Sequence, residues 1–288
     1  LPGIDIEASV AIDKLVTEKF TFANARGAVS ISAGIVTLKN FGVEAFNGTV
    51  QTKGTLDLRD PARSPFNLDL DVKNVESNSL LSNFTSFGQY LFGKFSTTTK
   101  LQGDLNDTLG LNPQSLLGNG TVGITSGKLL GLPLLEKLSA FTNLTELREV
   151  NFNNWTNAFS IANGRLAVKD LKISSSAADF IVGGSQGLDG SMEYDLTVRL
   201  PAAVSDRISL GGMGGQLVER FKDKEGRINL PLNISGTSAS PVVRLDAKAQ
   251  EEAAKKALQQ KIDESKNKLG EELKKKAAEG LKNLFKKP

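Results

Sequence analysis

The chain has 288 residues, 39% of them apolar and 23% charged, with a formal net charge of +3, which fits one large β domain or two ordinary ones and excludes disorder for its bulk. It holds no cysteine and no histidine, which removes thiol nucleophiles, disulfides, thiolate and imidazole metal sites and Ser-His-Asp triads together. Charge is uneven: residues 246–288 carry 12 Lys against 8 acidic residues, leaving the region before them near neutral and excluding it as a nucleic-acid-binding body.

The opening Leu1-Pro2-Gly3-Ile4 leads straight into a strand pattern over residues 4–13, where Ile4, Ile6, Ala8, Val10 and Ile12 alternate with other residues. With no initiator Met or signal peptide ahead of it, the chain reads as a piece of a longer protein whose targeting segment or anchor lies upstream. Phe20 and Phe22, then Val29 and Ile31, give short strands, and Ser32-Ala33-Gly34 reads as a hairpin turn into Ile35, Val36 and Leu38. Asn47-Gly48 signals a second hairpin leading into a strand over 49–58, which ends at Asp60-Pro61. Leu68, Leu70 and Val72 alternate with Asn67, Asp69, Asp71 and Lys73.

At Ser79 the period changes. Leu80, Leu81, Phe84, Phe87, Leu91 and Phe92 fall at three- and four-residue spacing and predict an amphipathic helix over 80–92, capped by Ser77 or Asn78 and ended by Gly93. Strands resume over 95–105 and at Val122 and Ile124. A second helix is expected over 134–147, with Leu135, Leu138, Phe141 and Leu144 on one stripe and Pro133 at its start.

The β pattern returns with Trp155, Asn157, Phe159 and Ile161, an Asn163-Gly164 turn, and Leu166 and Val168. Further strands are expected at Ile173, 180–182, 191–200, 228–234 and 242–245, with a Gly211–Gly215 loop ahead of a short helix over 216–221. The cleanest alternation is Met192, Tyr194, Leu196, Val198 and Leu200 against Ser191, Glu193, Asp195, Thr197 and Arg199, a strand with one apolar and one wet face. From Ala247 the composition turns to Ala, Lys, Glu, Gln and Leu. Leu258, Ile262, Leu269, Leu273, Ala277, Leu281 and Leu284 predict an amphipathic helix, with Gly270 and Gly280 as breaks. No apolar run approaches the ~20 residues of a membrane-spanning helix.

The fold expected is therefore mainly β with short helices: an elongated, curved antiparallel sheet forming an apolar groove or an incomplete barrel, plus a C-terminal amphipathic helix. Residues 1–245 form the β-rich domain and 246–288 the Lys-rich tail. Fifteen Phe against two Tyr and one Trp suit a dry interior. Two helices among a dozen or more strands are too few to cover so long an apolar face. Either the sheet folds over itself into a closed sandwich or barrel, or part of the face is left for a ligand.

The block Phe46-Asn47-Gly48-Thr49-Val50, with Gly54-Thr55-Leu56-Asp57-Leu58 behind it, resembles a recurrent element of the AsmA-like family. So do Phe159-x-Ile161-x-Asn163-Gly164-x-Leu166-x-Val168-x-Asp170-Leu171, the Met192–Leu200 strand and the closing Leu230-Pro231-Leu232-x-Ile234-x-Gly236-Thr237. The resemblance covers residues 1–245; the tail carries no family motif. It implies a periplasmic protein of double-membraned bacteria, anchored to the inner membrane by an N-terminal helix in full length. It further implies a groove that shields phospholipid acyl chains, with transfer of phospholipid toward the outer membrane and support of outer-membrane integrity.

On that reading the groove is lined by Phe159, Ile161, Met192, Tyr194, Leu196, Val198, Leu200, Ile228, Leu230, Leu232 and Ile234, which exclude water and do no chemistry. Leu196→Asp or Leu230→Asp is then expected to block lipid carriage at modest cost in stability, whereas unfolding would point to a closed core. Leu258, Ile262, Leu269, Leu273, Leu281, Leu284 and Phe285, with Lys274, Lys275 and Lys276, are the candidate contacts of the tail. It closes the groove end, lies on an anionic membrane surface, or binds an envelope protein.

No catalytic residue, metal ligand or cofactor is expected. Asp57/Asp60, Asp69/Asp71 and Asp104/Asp107 lack any partner arrangement for acid–base work. Gly127-Lys128 lacks the glycine and the hydroxyl residue of a phosphate-binding loop. The alternative function is a closed, ligand-free assembly module of envelope complexes.

Overall fold

Two-residue turns in which both residues take positive φ match the right-handed twist of antiparallel strands, and this chain uses them repeatedly. Ala33 and Gly34 have φ of 46° and 80°, and Asn163 and Gly164 have 51° and 68°, where the sequence placed them. The second hairpin turns one residue earlier than expected, at Phe46 and Asn47 with φ of 51° and 59°, so Gly48 already opens the next strand.

The computed structural model describes residues 5–17, 20–60, 62–83, 85–208 and 218–284. Its strands are β1 (Ile6–Val16), β2 (Thr21–Ser32), β3 (Ile35–Ala45), β4 (Gly48–Asp57), β5 (Ser64–Glu76), β6 (Leu91–Leu105), β7 (Leu117–Leu130), β8 (Glu149–Ala162), β9 (Arg165–Ser174), β10 (Asp179–Gly187), β11 (Met192–Leu200), β12 (Ile228–Gly236) and β13 (Pro241–Leu245). All thirteen form one antiparallel sheet in chain order, each pairing with the next, and β1 and β13 do not meet. The sheet is curved and unclosed. Twelve spacings of about 4.8 Å would make it ~58 Å wide if flat.

Bulges supply the curvature. The register slips between β2 and β3, β3 and β4, β5 and β6, β6 and β7, and β9 and β10. Asn24, Asn40, Asn74, Gly93 and Asp170 stand at or beside these slips with positive φ. Each extra residue bends its strand and adds local twist. The separate short strands expected at Phe20–Phe22 and Val29–Ile31 are in fact one bulged strand, β2.

Both internal helices are shorter than expected. The 80–92 stretch is not one helix: α1 (Ser77–Leu81) is a single turn, a 3₁₀ turn follows at Gly88–Tyr90, and Leu91 and Phe92 already belong to β6. The chain doubles back so tightly that a Cβ on Gly88 would lie 2.2 Å from the Leu81 carbonyl carbon. The 134–147 stretch splits at Asn143, whose left-handed φ of 60° ends α2 (Pro133–Thr142); Leu147 falls in a 3₁₀ turn over Thr145–Arg148. Its apolar stripe survives the break, since Leu135, Leu138, Leu144 and Leu147 are all at most 3% exposed. The Gly211–Gly215 loop and the start of the 216–221 helix lie outside the described residues.

The tail is one helix, α3 (Ala247–Leu284). Asp246 caps it, its Oδ1 accepting from the Ala249 amide at 2.7 Å, which holds the Asp246 carboxyl below its ordinary range. Ala253 is packed, in part, against the core.

Candidate functional site: an apolar face across the sheet

Cross-strand partners share a face, so the register fixes what each side of the sheet presents. One row passes from Phe41 through Thr52, Leu70, Thr99, Gly120, Phe159, Val168, Gly184, Tyr194 and Ile234 to Val243, each residue directly opposite the next. It crosses eleven strands without a charge. A second row runs Leu68, Leu101, Gly118, Ile161, Leu166 and Gln186 to Met192. On β1 to β3 the same face carries Ile6 opposite Ile31 and Ile31 opposite Val36.

Burial divides this face. At the β13 end it is sealed: α2, its 3₁₀ extension, Val218 and Phe221 join a buried cluster with β10 to β13. On β5 to β8 the division runs across the strands. Val72, Val75, Phe95, Ile124, Val150 and Phe152 are buried in that cluster, while Leu68, Leu70, Leu101, Phe159 and Ile161 are only half-buried. Among the described residues, the strands β1 to β4 pack chiefly against their sheet neighbours, and Ile6 and Ile12 expose 47% and 39% of their surface.

The eleven candidate lining residues fall on both sides of this division. Met192, Leu196, Val198, Leu200, Ile228, Leu230, Leu232 and Ile234 are 0–7% exposed, so protein atoms already cover them. Phe159, Ile161 and Tyr194 are half-buried. On β2 to β9 of the same face Val36, Leu56, Leu68, Leu70, Leu101 and Val168 keep part of their surface. Burial pushes the Tyr194 hydroxyl pKa up to about 12. Two polar atoms on the apolar face, Thr52 Oγ1 and Trp155 Nε1, are buried without a hydrogen-bond partner.

The opposite face is wet and ion-paired. Lys100 Nζ lies 2.8 Å and Lys53 Nζ 3.6 Å from the Asp69 carboxylate, and the Lys100 hydrogen bond is the main cause of the lowered Asp69 pKa. With Gln51, Asp71, Thr98 and Asn119 these residues border a trough of about 870 Å³. Asp57 is held at about 2 by its hydrogen bond from Arg59, and Asp104 pairs with Arg63 at 2.9 Å. These acids are engaged in ion pairs, and no group of three metal-ligating side chains occurs among the described residues.

On the tail, Leu258, Ile262, Leu269 and Leu273 are 62%, 41%, 60% and 60% exposed. Lys274, Lys275 and Lys276 are exposed beside them. Leu281 and Leu284 lie within α3, but their side chains, like Phe285, fall outside the described residues. No described helix is long and apolar enough to cross a membrane.

No protein-family model, curated protein or solved structure matches this chain.

Proposed function

We propose that the protein binds phospholipid acyl chains along its apolar face and passes them through the bacterial envelope without chemistry. The observation that supports this most directly is the uncharged row from Phe41 to Val168, whose residues, Thr99 apart, stay only half-buried. Apolar area in water is costly at ~25 cal/mol per Å², and contiguous exposed patches of this kind mark binding surfaces. The occupant it suits needs no directional polar contact, and each shielded methylene contributes ~0.8 kcal/mol. The open face from β2 to β9 spans seven strand spacings, about 34 Å, comparable with the ~30 Å of a bilayer's hydrocarbon core. That is room for about two acyl chains end to end.

The AsmA-like resemblance supplies the setting: a periplasmic position, inner-membrane anchoring in the full-length protein, and transfer between inner and outer membrane. The exposed apolar residues and lysines of α3 support an amphipathic tail that faces a membrane surface or an envelope partner, in preference to one folded back on the sheet.

The test is mass spectrometry of lipid extracted from protein purified without detergent. Phospholipid bound in stoichiometric amount is expected; folded protein that carries none rejects the proposal. The sealed β10–β13 core favours a second reading, a ligand-free assembly module. That reading predicts lipid-free protein that co-purifies with a stable envelope complex.

A further inference from the structure

Gln186 is the one polar residue in the otherwise aliphatic row of Leu68, Leu101, Ile161, Leu166 and Met192, and it is 8% exposed. Its Nε2 donates to Ser86 Oγ at 2.8 Å and to Ser238 Oγ at 3.0 Å, and the two hydroxyls lie 2.8 Å apart. Ser238 is further fixed by the Gly190 carbonyl, which accepts from its hydroxyl at 3.1 Å and its amide at 2.9 Å. Three distant parts of the sheet meet here. Ser86 belongs to the β5–β6 connection, Gln186 is the last residue but one of β10, and Ser238 lies in the β12–β13 turn.

In a flat sheet β6 and β12 would stand about 29 Å apart. The curl of the sheet and the reach of the connection close that gap. Leu80, Leu81 and Phe87 of the same connection pack against the buried cluster. The connection thus crosses the apolar side and meets it where the half-buried row ends.

We infer that the described parts of the β5–β6 connection, residues 77–83 and 85–90, clasped to Gln186 and Ser238, are an end wall. It confines bound acyl chains to the open stretch up to β9 and keeps them from the β10–β13 end. This rests on the lipid reading above. A buried Gln with both partners in place stabilises the wall, while a clasp missing one partner leaves a desolvated group unpaired. Behind the wall, Val198, Leu200, Ile228, Leu230 and Leu232 are at most 1% exposed, so a chain could enter only by displacing the packed cluster. Lipid therefore enters and leaves from the side or from the β1 end, and the groove is a bay closed at one end.

The chain has no cysteine, so a Ser86→Cys/Ser238→Cys pair can form only one intramolecular disulfide, locking the wall shut. A photoreactive phenylalanine analogue placed at Leu70, Leu101 or Tyr194 reports lipid on each side of the wall. Adducts at Leu70 and Leu101, none above background at Tyr194, and unchanged phospholipid content after oxidation of the cysteine pair are expected. A lipid adduct at Tyr194, or loss of bound lipid on oxidation that reduction restores, overturns the wall while leaving the lipid reading intact. Absence of adducts at all three positions in folded protein overturns the lipid reading and the wall with it.

Discussion

Val198 and Leu230 face each other across β11 and β12, and neither exposes any of its surface. A carboxylate at position 230 would have no water and no cation within the cluster, and burial of an unpaired charge is far more costly than loss of a methyl group. Leu230→Asp is therefore expected to unfold the protein, and Leu230→Ala to cost about 2–5 kcal/mol. Leu196, 4% exposed, behaves alike, so neither substitution reports on lipid carriage. Leu101 lies half-buried on the same face, outside the buried cluster, where an aspartate side chain can reach solvent. Leu101→Asp is expected to cost roughly 1 kcal/mol and to lose bound phospholipid. Urea unfolding midpoints, read beside extracted lipid, separate the two classes.

Gly120 sits in the same row as Val168, between Thr99 and Phe159. A Cβ there would lie 2.3 Å from the Thr98 carbonyl oxygen and 2.7 Å from Thr99 Cβ, backbone and near-backbone atoms that cannot swing aside. Gly120→Ala is expected to cost about 1–3 kcal/mol by overpacking. Gly183, on the wet face of β10, has no atom within 4 Å of its Cβ position. Gly183→Ala is expected to be neutral or to stabilise by up to ~1 kcal/mol through the unfolded chain. Equal effects of the two in thermal melts would refute this account of the close approach.

Much of the sheet was legible because turn chemistry and alternation are local. Asn163-Gly164 and Ala33-Gly34 name their own turns, and Met192–Leu200 names its own strand. The 80–92 stretch misled because its three- and four-residue spacing merges two different uses of apolar residues. Leu80, Leu81 and Phe87 pack against the core from a connection, while Leu91 is drawn into the ladder opposite Leu129. The site was legible only in kind. Alternation marks a residue as apolar on one face, yet it carries no information on whether another element covers that face. The cleanest alternation, on β11 and β12, belongs to the part most fully covered, while apolar residues that keep part of their surface lie on β2 to β9, where bulges and glycines blur the pattern. Ser86, Gln186 and Ser238 have no shared signal at all, being 100 and 52 residues apart and joined only by the curl of the sheet.

Tyr194 offers a pH test of its own burial. Its folded pKa of about 12 exceeds the ordinary value of about 10 for an unfolded chain. A raised folded value means the neutral form is favoured by folding. The contribution to stability is complete below pH ~10 and is lost as pH rises from there through ~12. Two units correspond to at most ~2.7 kcal/mol. Unfolding free energy measured across this alkaline window should fall more steeply for the native chain than for Tyr194→Phe, which has nothing to ionise. Parallel curves would place the hydroxyl in water.

Among the described residues, the α3 helix is held at its first turn and at Ala253. Asp246 Oδ1 takes the Ala249 amide at 2.7 Å, and Gln250 Nε2 reaches back to the Leu245 carbonyl at 3.2 Å. Because the Asp246 carboxyl is held below its ordinary range, the cap is complete above that range and is lost as pH falls through the depressed folded value. Asp246→Ala is expected to cost the helix about 1 kcal/mol and to remove its acid sensitivity, read by circular dichroism. Ending the chain after Ala254 keeps this cap and the Ala253 contact while removing Leu258, Ile262, Leu269 and Leu273, whose surfaces are 41–62% exposed. The sheet should then melt at an unchanged midpoint. If those residues and their lysines serve an anionic membrane, the full chain floats with anionic vesicles and not with neutral ones, and the shortened chain floats with neither. Flotation by the shortened chain would move the membrane contact to the open end of the sheet, where Ile6 and Ile12 are exposed.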